Sequence, residues 1–261
     1  MKKFLLFALL VLPLAFMSCG SDNEPNYPDQ TLVVGDTYRI PGGETGWTSD
    51  NDLVASVSGS TVTAELVGET VIRNGSKSFK VTVTSKSKLF KEPYMRFGAS
   101  KSTVKSVMSS YTLSKETTET LLYNGTYPVS YYLYGFKNEA MNLSSLVIPV
   151  TSVTAENLVD FLKERYLYVT SNEAEHYFGF ISPDMKTLVV LNISTFNSQV
   201  VYMISYGEYT GSSSVPAQVM KIAKKHITPE ASNNMSTINS EYSRLLDIMP
   251  EMKIESNTLV K

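Results

Sequence analysis

The sequence predicts an all-β sandwich followed by an α+β domain built from repeated helix-plus-antiparallel-strand units. Short alternating segments separated by glycine and asparagine turns fill positions 31–84, and two helical stripes further on are each followed by three strand patterns. Tyrosine occurs 16 times in 261 residues, and 43% of the residues are hydrophobic. A tyrosine-rich, alternating chain of this length favours antiparallel sheet around a sizeable core.

The N-terminal residues predict secretion. Lys2 and Lys3 are followed by an apolar stretch over positions 4–16 and then by the small residue Ser18. This order of charge, apolar run and small residue is typical of a signal peptide, which we place at residues 1–18. The apolar run is shorter than the ~20 residues that a membrane-spanning helix needs.

Ser18-Cys19 resembles the lipobox of bacterial lipoproteins, in which the cysteine is acylated on sulfur and becomes the new N-terminus. Cys19 is the only cysteine of the chain, so it cannot form an intrachain disulfide. The resemblance implies that residues 19–30 form a lipidated tether and that lipid on Cys19 contacts the membrane. Asp22 and Glu24 also resemble the export signal of Bacteroidota-type lipoproteins, which implies a surface-exposed location on the cell outer membrane.

The charge balance argues against a nucleic-acid partner. The chain has 23 basic and 25 acidic residues, and removal of positions 1–18 takes away only Lys2 and Lys3, which leaves 21 against 25 and a net charge of about −4. A weakly acidic protein lacks the basic field that phosphate backbones require.

Six strands are predicted between positions 31 and 86, the first domain. They are Thr31–Val34, Thr37–Ile40, Leu53–Val57, Thr61–Glu65, Glu69–Arg73 and Ser78–Thr84. Asn74-Gly75, between two apolar runs, is a strong hairpin signal. Alternation places Phe79, Val81 and Val83 on one face of the last strand, which predicts that this strand is half-buried.

Several short motifs occur in this first domain at the spacing of a known family. They are Gly35, Trp47-Thr48-Ser49-Asp50-Asn51, Ala55-Ser56-Val57, Val62-Thr63-Ala64 and Gly68-Glu69-Thr70-Val71-Ile72. With these residues the segment resembles the group 2 bacterial immunoglobulin-like domains. The resemblance implies a spacer or adhesion module. The single tryptophan, Trp47, is expected in the core, because a buried tryptophan marks such sandwiches.

Residues 87–261 are predicted to form the α+β domain. Ser100 and Thr154 can each cap a helix. The apolar stripes of these helices are Val104, Val107, Met108 and Tyr111, and then Leu158, Phe161 and Leu162. The strands after them are Thr120–Tyr123, Val129–Phe136 and Ser145–Val150, and then His176–Ile181, Thr187–Ile193 and Val200–Tyr206. Two more stripes predict C-terminal helices: Val219, Ile222 and Ala223, and then Ile238, Tyr242, Leu245, Leu246 and Met249.

The helix that Ser100 can cap begins within the stretch Gly98-Ala99-Ser100-Lys101-Ser102-Thr103-Val104. Together with the order of a helix followed by strands, this stretch resembles the unit shared by beta-lactamase-inhibitor proteins and the small lipoproteins of the outer-membrane barrel-assembly machine. The resemblance implies protein binding through an exposed sheet face, and it carries no catalytic residues.

Residues suited to catalysis are few. His176 and His226 are the only histidines and lie in different predicted elements, so neither a metal site nor a cofactor is expected. Glu173, Glu175 and Asp184 could form a glycosidase pair, although scattered acids on loops are usually solvated. The protein is therefore expected to bind rather than to catalyse, and a hydrolase with an unrecognised site is an alternative.

One strand carries large apolar and aromatic side chains on both faces. Tyr132, Tyr134 and Phe136 share one face, and Tyr131 and Leu133 share the other. One interpretation is that one face packs beneath the helices while the other forms cross-strand pairs. The other is that exposed tyrosines form a platform for sugar rings or a partner protein.

The platform interpretation defines a candidate binding surface, which consists of Tyr132, Tyr134, Phe136, Tyr202 and Tyr206. Recognition of a glycan or a protein at the cell surface is accordingly the leading functional prediction. A periplasm-facing accessory or inhibitor of an envelope protein is the other binding role that the sequence supports.

Overall fold

The computed structural model describes residues 26–211 and 234–249, and the N-terminal part of the described chain forms two small sheets. The strands are β1 (Gln30–Val33), β2 (Thr37–Arg39), β3 (Thr48–Ser49), β4 (Ala55–Ser58), β5 (Thr61–Ala64), β6 (Gly68–Asn74) and β7 (Lys77–Thr84). One sheet has the order β1-β7-β6-β3, and the other has the order β2-β5-β4. β1 runs parallel to β7, whereas the other pairs are antiparallel.

The two sheets surround one apolar cluster, as in an all-β sandwich. Trp47 is buried there as predicted, and its ring meets Phe79 nearly edge-on with 5.7 Å between the centroids. Phe79, Val81 and Val83 are all buried, which confirms the predicted alternation of the last strand. The predicted hairpin between β6 and β7 is also confirmed. The two-residue strand β3 was not among the six predicted strands, because it is too short to show a period.

The remaining described residues form an eight-stranded antiparallel sheet and three helices. The elements in chain order are α1 (Lys101–Val107), β8 (Leu113–Glu116), β9 (Thr120–Asn124), β10 (Tyr131–Lys137), β11 (Ala140–Pro149), α2 (Ala155–Lys163), β12 (Leu167–Asn172), β13 (Tyr177–Ile181), β14 (Thr187–Phe196), β15 (Gln199–Glu208) and α3 (Met235–Ile248). The sheet order is β12-β13-β14-β15-β11-β10-β9-β8, so β11 and β15 lie side by side at the centre. The described chain is thus mostly β-sheet.

Side-chain caps determine where α1 and α2 begin, as the sequence predicts. Ser100 Oγ accepts a hydrogen bond from the backbone N–H of Thr103, and Thr154 Oγ1 accepts one from that of Asn157, both at 3.2 Å. Such caps satisfy N–H groups that the first turn leaves without partners. All three helices bury apolar side chains in one cluster on the same sheet face. A smaller buried cluster on the opposite face contains Leu133, Leu143, Tyr177, Leu188, Val190 and Met203.

The structure has four strands after each of α1 and α2, where the sequence predicted three. The additional strands are β8 and β12, which form the two edges of the large sheet. All four residues of β8 are exposed, and a bulge interrupts β12 between Tyr168 and Thr170. Neither strand therefore shows the regular alternation of a half-buried strand. α1 also ends at Val107 and does not reach Tyr111 as predicted.

A buried arginine connects the segment after β7 to the end of α2. The Arg165 side chain is only 10% exposed. Its Nη2 donates hydrogen bonds to Ser85 Oγ at 2.6 Å and to Ser87 O at 2.9 Å, and its Nη1 donates to Phe161 O at 2.9 Å. The guanidinium also lies 3.6 Å from the centre of the Phe161 ring. Arg165 therefore ties the two parts of the chain together.

Glu92 lies at the same junction, in surroundings that disfavour its charge. Its carboxylate accepts hydrogen bonds from the hydroxyls of Tyr166 and Tyr206 and lies 3.9 Å from Arg165 Nε. Burial raises the pKa of the Glu92 carboxyl above its ordinary value. The hydrogen bond from Tyr166 and the positive charge of Arg165 oppose only part of that rise.

We expect Glu92→Gln to change how stability depends on pH. A carboxyl with a raised folded-state pKa contributes stability that is present below its ordinary pKa of 4.5 and is lost as the pH rises through the folded-state value. The free energy of unfolding of the wild type minus that of Glu92→Gln should therefore fall as the pH rises above 4.5, the ordinary pKa of this group. Urea denaturation at each pH measures this difference, and a constant difference would contradict the prediction.

Several predictions concern residues outside the described ranges. These are the signal peptide at 1–18, the lipidated Cys19, the first part of the tether, the stripe Val219 to Ala223, and His226. None of the helices in the described ranges combines the length and the apolar character needed to cross a membrane.

Candidate functional site

The five aromatic residues predicted as a binding surface are buried. The exposed fractions are 4% for Tyr132, 0% for Tyr134, 3% for Phe136, and 0% for both Tyr202 and Tyr206. All five belong to the cluster beneath the helices. The prediction of an exposed platform is therefore wrong, because α1, α2 and α3 cover this face of the sheet. These residues agree instead with the other interpretation, in which one face of the aromatic strand packs beneath the helices.

Internal hydrogen bonds satisfy the polar tips of these buried tyrosines. The Tyr134 hydroxyl accepts the backbone N–H of Tyr94 at 3.3 Å and donates to Met108 Sδ at 3.1 Å. The Tyr202 hydroxyl donates to Glu241 Oε2 at 2.5 Å. Burial raises the pKa of Tyr134 and of Tyr202, so both phenols stay protonated and able to donate. Their rings fill the core and their hydroxyls have partners within it.

Asp184 lies apart from the other candidate acid and base residues. His176 Nε2 lies 2.8 Å from Asn239 Oδ1, so its partner is an amide rather than a carboxylate. Glu173 and Glu175 precede β13, whereas Asp184 follows it. A five-residue strand spans about 17 Å, which exceeds the ~5–9.5 Å separation of paired glycosidase carboxyl groups. Asp184 therefore does not form a glycosidase pair with either glutamate.

An open groove of about 470 Å³ lies on the sheet face opposite the helices, and we name it the aromatic groove. The rings of Tyr131 and Phe196 meet there, with 5.3 Å between their centroids and 55° between their planes. β10 and β14 are separated by two strands, or about 14 Å at ~4.8 Å per strand step. The two side chains therefore lean toward each other across the sheet, above a floor that includes Val147, Pro149 and Val201.

The hairpin between β14 and β15 positions one side of the aromatic groove. Phe196 pairs with Gln199, which leaves Asn197 and Ser198 as a two-residue turn. Their φ angles are 48° and 62°, the positive values that a type I′ turn requires at both positions. The turn places the exposed Asn197 and Gln199 in the lining of the groove beside Phe196.

The turn between β9 and β10 shapes the other side. The Gly125 N–H donates to Ser130 O at 2.7 Å, and the Ser130 N–H donates to Val147 O at 2.8 Å, which joins the turn to β11. A Cβ atom on Gly125 would lie 2.4 Å from Val129 O. The turn can close in this way only because residue 125 is glycine.

The lining of the aromatic groove combines ring faces with uncharged polar groups. Amides come from Asn124, Asn197 and Gln199, and hydroxyls come from Ser130 and Tyr131, while all eleven lining residues are uncharged. Such a lining offers apolar contact area together with hydrogen-bond donors and acceptors. Across positions 26–211 and 234–249, no cluster of three or more His, Cys, Asp or Glu residues could hold a metal ion.

Sequence reasoning found only part of this groove. It placed Tyr131 on the second face of the aromatic strand but did not single out Phe196. The available signal was the polar pair Asn197-Ser198 between two alternating strands, which is typical of a two-residue hairpin turn. The meeting of Phe196 with Tyr131 depends on the order of strands in the sheet, which local patterns do not contain.

No family model matches the chain, and neither a curated protein nor a solved structure matches it.

Proposed function

We propose that this chain is a lipid-anchored protein of a bacterial envelope that binds a saccharide in the aromatic groove without catalysing a reaction. One observation carries the proposal: the paired rings of Tyr131 and Phe196 share an open groove with the amides of Asn124, Asn197 and Gln199. The volume of about 470 Å³ lies within the ~300–1,000 Å³ typical of small-molecule sites.

A sugar ring needs two kinds of contact, and the aromatic groove offers both. The C–H groups of a sugar ring pack on aromatic faces, and tyrosine and phenylalanine supply this area with few rotatable bonds to immobilise. Sugar hydroxyls both donate and accept hydrogen bonds. Side-chain amides do the same, because their NH₂ group donates and their carbonyl oxygen accepts.

The lining of this groove favours binding over hydrolysis. Glycoside hydrolysis ordinarily uses two carboxyl groups, one on each side of the bond that breaks. The eleven residues that line the aromatic groove include no carboxylate and no histidine. A saccharide held there would not meet an acid and base pair, and the hydrolase alternative would need a different site.

We also propose that residues 31–86 form a group 2 immunoglobulin-like spacer. We further propose that the α+β region contains two copies of one unit, a helix followed by antiparallel strands. The motifs around Trp47 and the two sheets that surround it support the spacer. The twofold occurrence of a helix followed by four strands, with β11 and β15 adjacent, supports the repeated unit and its likeness to the beta-lactamase-inhibitor fold. Lipid on Cys19 would then hold the protein at the outer membrane, with the spacer between the lipid and the groove.

Tyr131→Ala should weaken saccharide binding about tenfold, because loss of one stacking ring costs about 0.5–1.5 kcal/mol beyond the lost contact area. A glycan array first identifies the oligosaccharides that the purified protein binds, and isothermal titration calorimetry then measures Kd. Tyr131→Phe is the matched variant, since it keeps the ring and loses only the hydroxyl. It should retain most of the affinity.

Val107→Ala is a control at an exposed apolar residue of α1, on the other sheet face, and it should bind like the wild type. The proposal fails if no saccharide binds or if Tyr131→Ala binds as tightly as the wild type. Labelled ligand on intact cells tests the location. Cells with the wild type should bind it and cells with Cys19→Ala should not, whereas binding that appears only after the outer membrane is opened favours the periplasm-facing role.

A further inference from the structure

Two more open grooves lie beyond the aromatic groove. The first, here named the Tyr127 groove, has a volume of about 540 Å³ and lies among the β9–β10 turn, the segment after β11, and helices α2 and α3. The second, here named the α2 groove, has a volume of about 530 Å³ and lies between α2 and the segment at 86–89. Both are open to solvent and large enough for a sugar unit.

The three grooves are lined by neighbouring or shared residues. Val129 and Pro149 line the aromatic groove, and their neighbours Pro128 and Val150 line the Tyr127 groove on the helix side of the sheet. Leu89 and Asn157 line both the Tyr127 groove and the α2 groove. An extended ligand that passes around the end of the sheet, where β10 begins and β11 ends, would contact all three grooves.

Tyr127 stands at the start of this extension as an aromatic ring held in place. It is 80% exposed, the highest value among the exposed large hydrophobic residues of the described chain. Its hydroxyl nevertheless donates a hydrogen bond to Ser152 O at 3.1 Å. A ring whose orientation is already restricted loses less conformational entropy when a ligand packs on it.

Beyond Tyr127 the lining contains polar side chains beside the apolar Leu89, Val150 and Val153. Thr154 and Arg244 line the Tyr127 groove, Asp160 and Lys163 line the α2 groove, and Asn157 lines both. These side chains offer hydrogen bonds to hydroxyl groups along the whole path. An aromatic platform followed by polar side chains fits a carbohydrate chain better than an apolar peptide, which would need apolar pockets in succession.

We infer that the aromatic groove is the first of several subsites and that the ligand is a linear oligosaccharide chain, which extends over Tyr127 into the α2 groove. This inference rests on the proposed function, since it takes the aromatic groove as a saccharide site. Each sugar unit beyond the first groove gains contacts that a shorter ligand lacks. Affinity therefore rises with chain length.

Calorimetric titration of the purified protein tests this inference. The probes are malto-, cello-, xylo- and N-acetylchito-oligosaccharides, each from the disaccharide to the hexasaccharide. For a series that binds, the Kd of the hexasaccharide should be at least about tenfold lower than that of the disaccharide. Tyr127→Ala should bring this ratio toward one. Tyr131→Ala should weaken every length by a similar factor, and Val107→Ala should change nothing.

The outcomes separate the inference from the proposed function. If Kd does not depend on length, or if Tyr127→Ala leaves the ratio unchanged while Tyr131→Ala weakens binding, the ligand occupies the aromatic groove alone and the inference is overturned. If Tyr131→Ala has no effect, or none of the four series and no saccharide on the array binds, the proposed function fails and the inference falls with it. Far-UV circular dichroism verifies that each variant is folded.

Discussion

Arg165→Ala is expected to lower the free energy of unfolding by about 3–5 kcal/mol, the cost of removing one partner from a buried charged network. The guanidinium donates to Ser85, Ser87 and Phe161, and its Nε lies 3.9 Å from the carboxylate of the partly buried Glu92. Without it, the backbone carbonyls of Ser87 and Phe161 lose their donors, and the Glu92 carboxylate loses the positive charge that partly offsets its burial. An unpaired buried charge is costly because water no longer solvates it.

Urea denaturation measures this loss, with far-UV circular dichroism and the fluorescence of Trp47 as two signals. Arg73→Ala is the matched control, since Arg73 pairs with Asp50 at the surface, where the two side chains are 51% and 48% exposed. Exposed pairs of this kind contribute little, so the control should unfold close to the wild-type midpoint. Equal shifts for the two variants would show that the Arg165 contacts do not stabilise the junction.

Tyr134→Ala is expected to destabilise the protein by about 3–5 kcal/mol, as other truncations of large buried aromatic side chains do. The Tyr134 ring is fully buried beneath the helices and lies 6.2 Å from the ring of Tyr123. Truncation leaves a cavity and removes the acceptor of the Tyr94 N–H. Both effects act on the folded state.

Thermal or urea unfolding measures the effect, and Tyr127→Ala is the matched control because it makes the same substitution at an exposed ring. The control should hardly change stability, since substitutions at exposed sites usually shift it little. Near-equal stabilities for Tyr134→Ala and the wild type would mean that the ring does not pack in the core. That outcome would restore the interpretation of Tyr134 as a surface residue.

A helix or strand was predictable where the pattern that specifies it lies within a few neighbouring residues. The caps at Ser100 and Thr154 depend on residues three positions away, and the alternation through Phe79 spans a single strand. The edge strands β8 and β12 lack such a signal, because one is fully exposed and the other contains a bulge. Their place in the sheet comes from pairing with a neighbour, which the hydrophobic pattern of one segment does not encode.

The candidate site was predictable only as far as the two faces of β10. Alternation separates Tyr132 and Tyr134 from Tyr131, but it does not state which face the helices cover. For this reason the predicted binding surface was placed on the face of β10 that the helices cover. The aromatic groove also needs Phe196 beside Tyr131, which depends on the pairing of β11 with β15, between residues more than fifty positions apart. Contacts between residues so far apart in the sequence depend on the order of strands in the complete sheet.

The parallel pairing of β1 with β7 determines how the N-terminal region responds to a mechanical pull. The chain enters this pair at Gln30, beside Val81, and leaves it at Thr84, beside Val33. A force between the segment before Gln30 and the segment after Thr84 slides the two strands past each other along their length. The four paired positions then resist together, whereas a hairpin pulled from its open end separates one pair at a time. A load applied through the N-terminal segment would thus meet the pair in shear, the direction in which strands are hardest to separate.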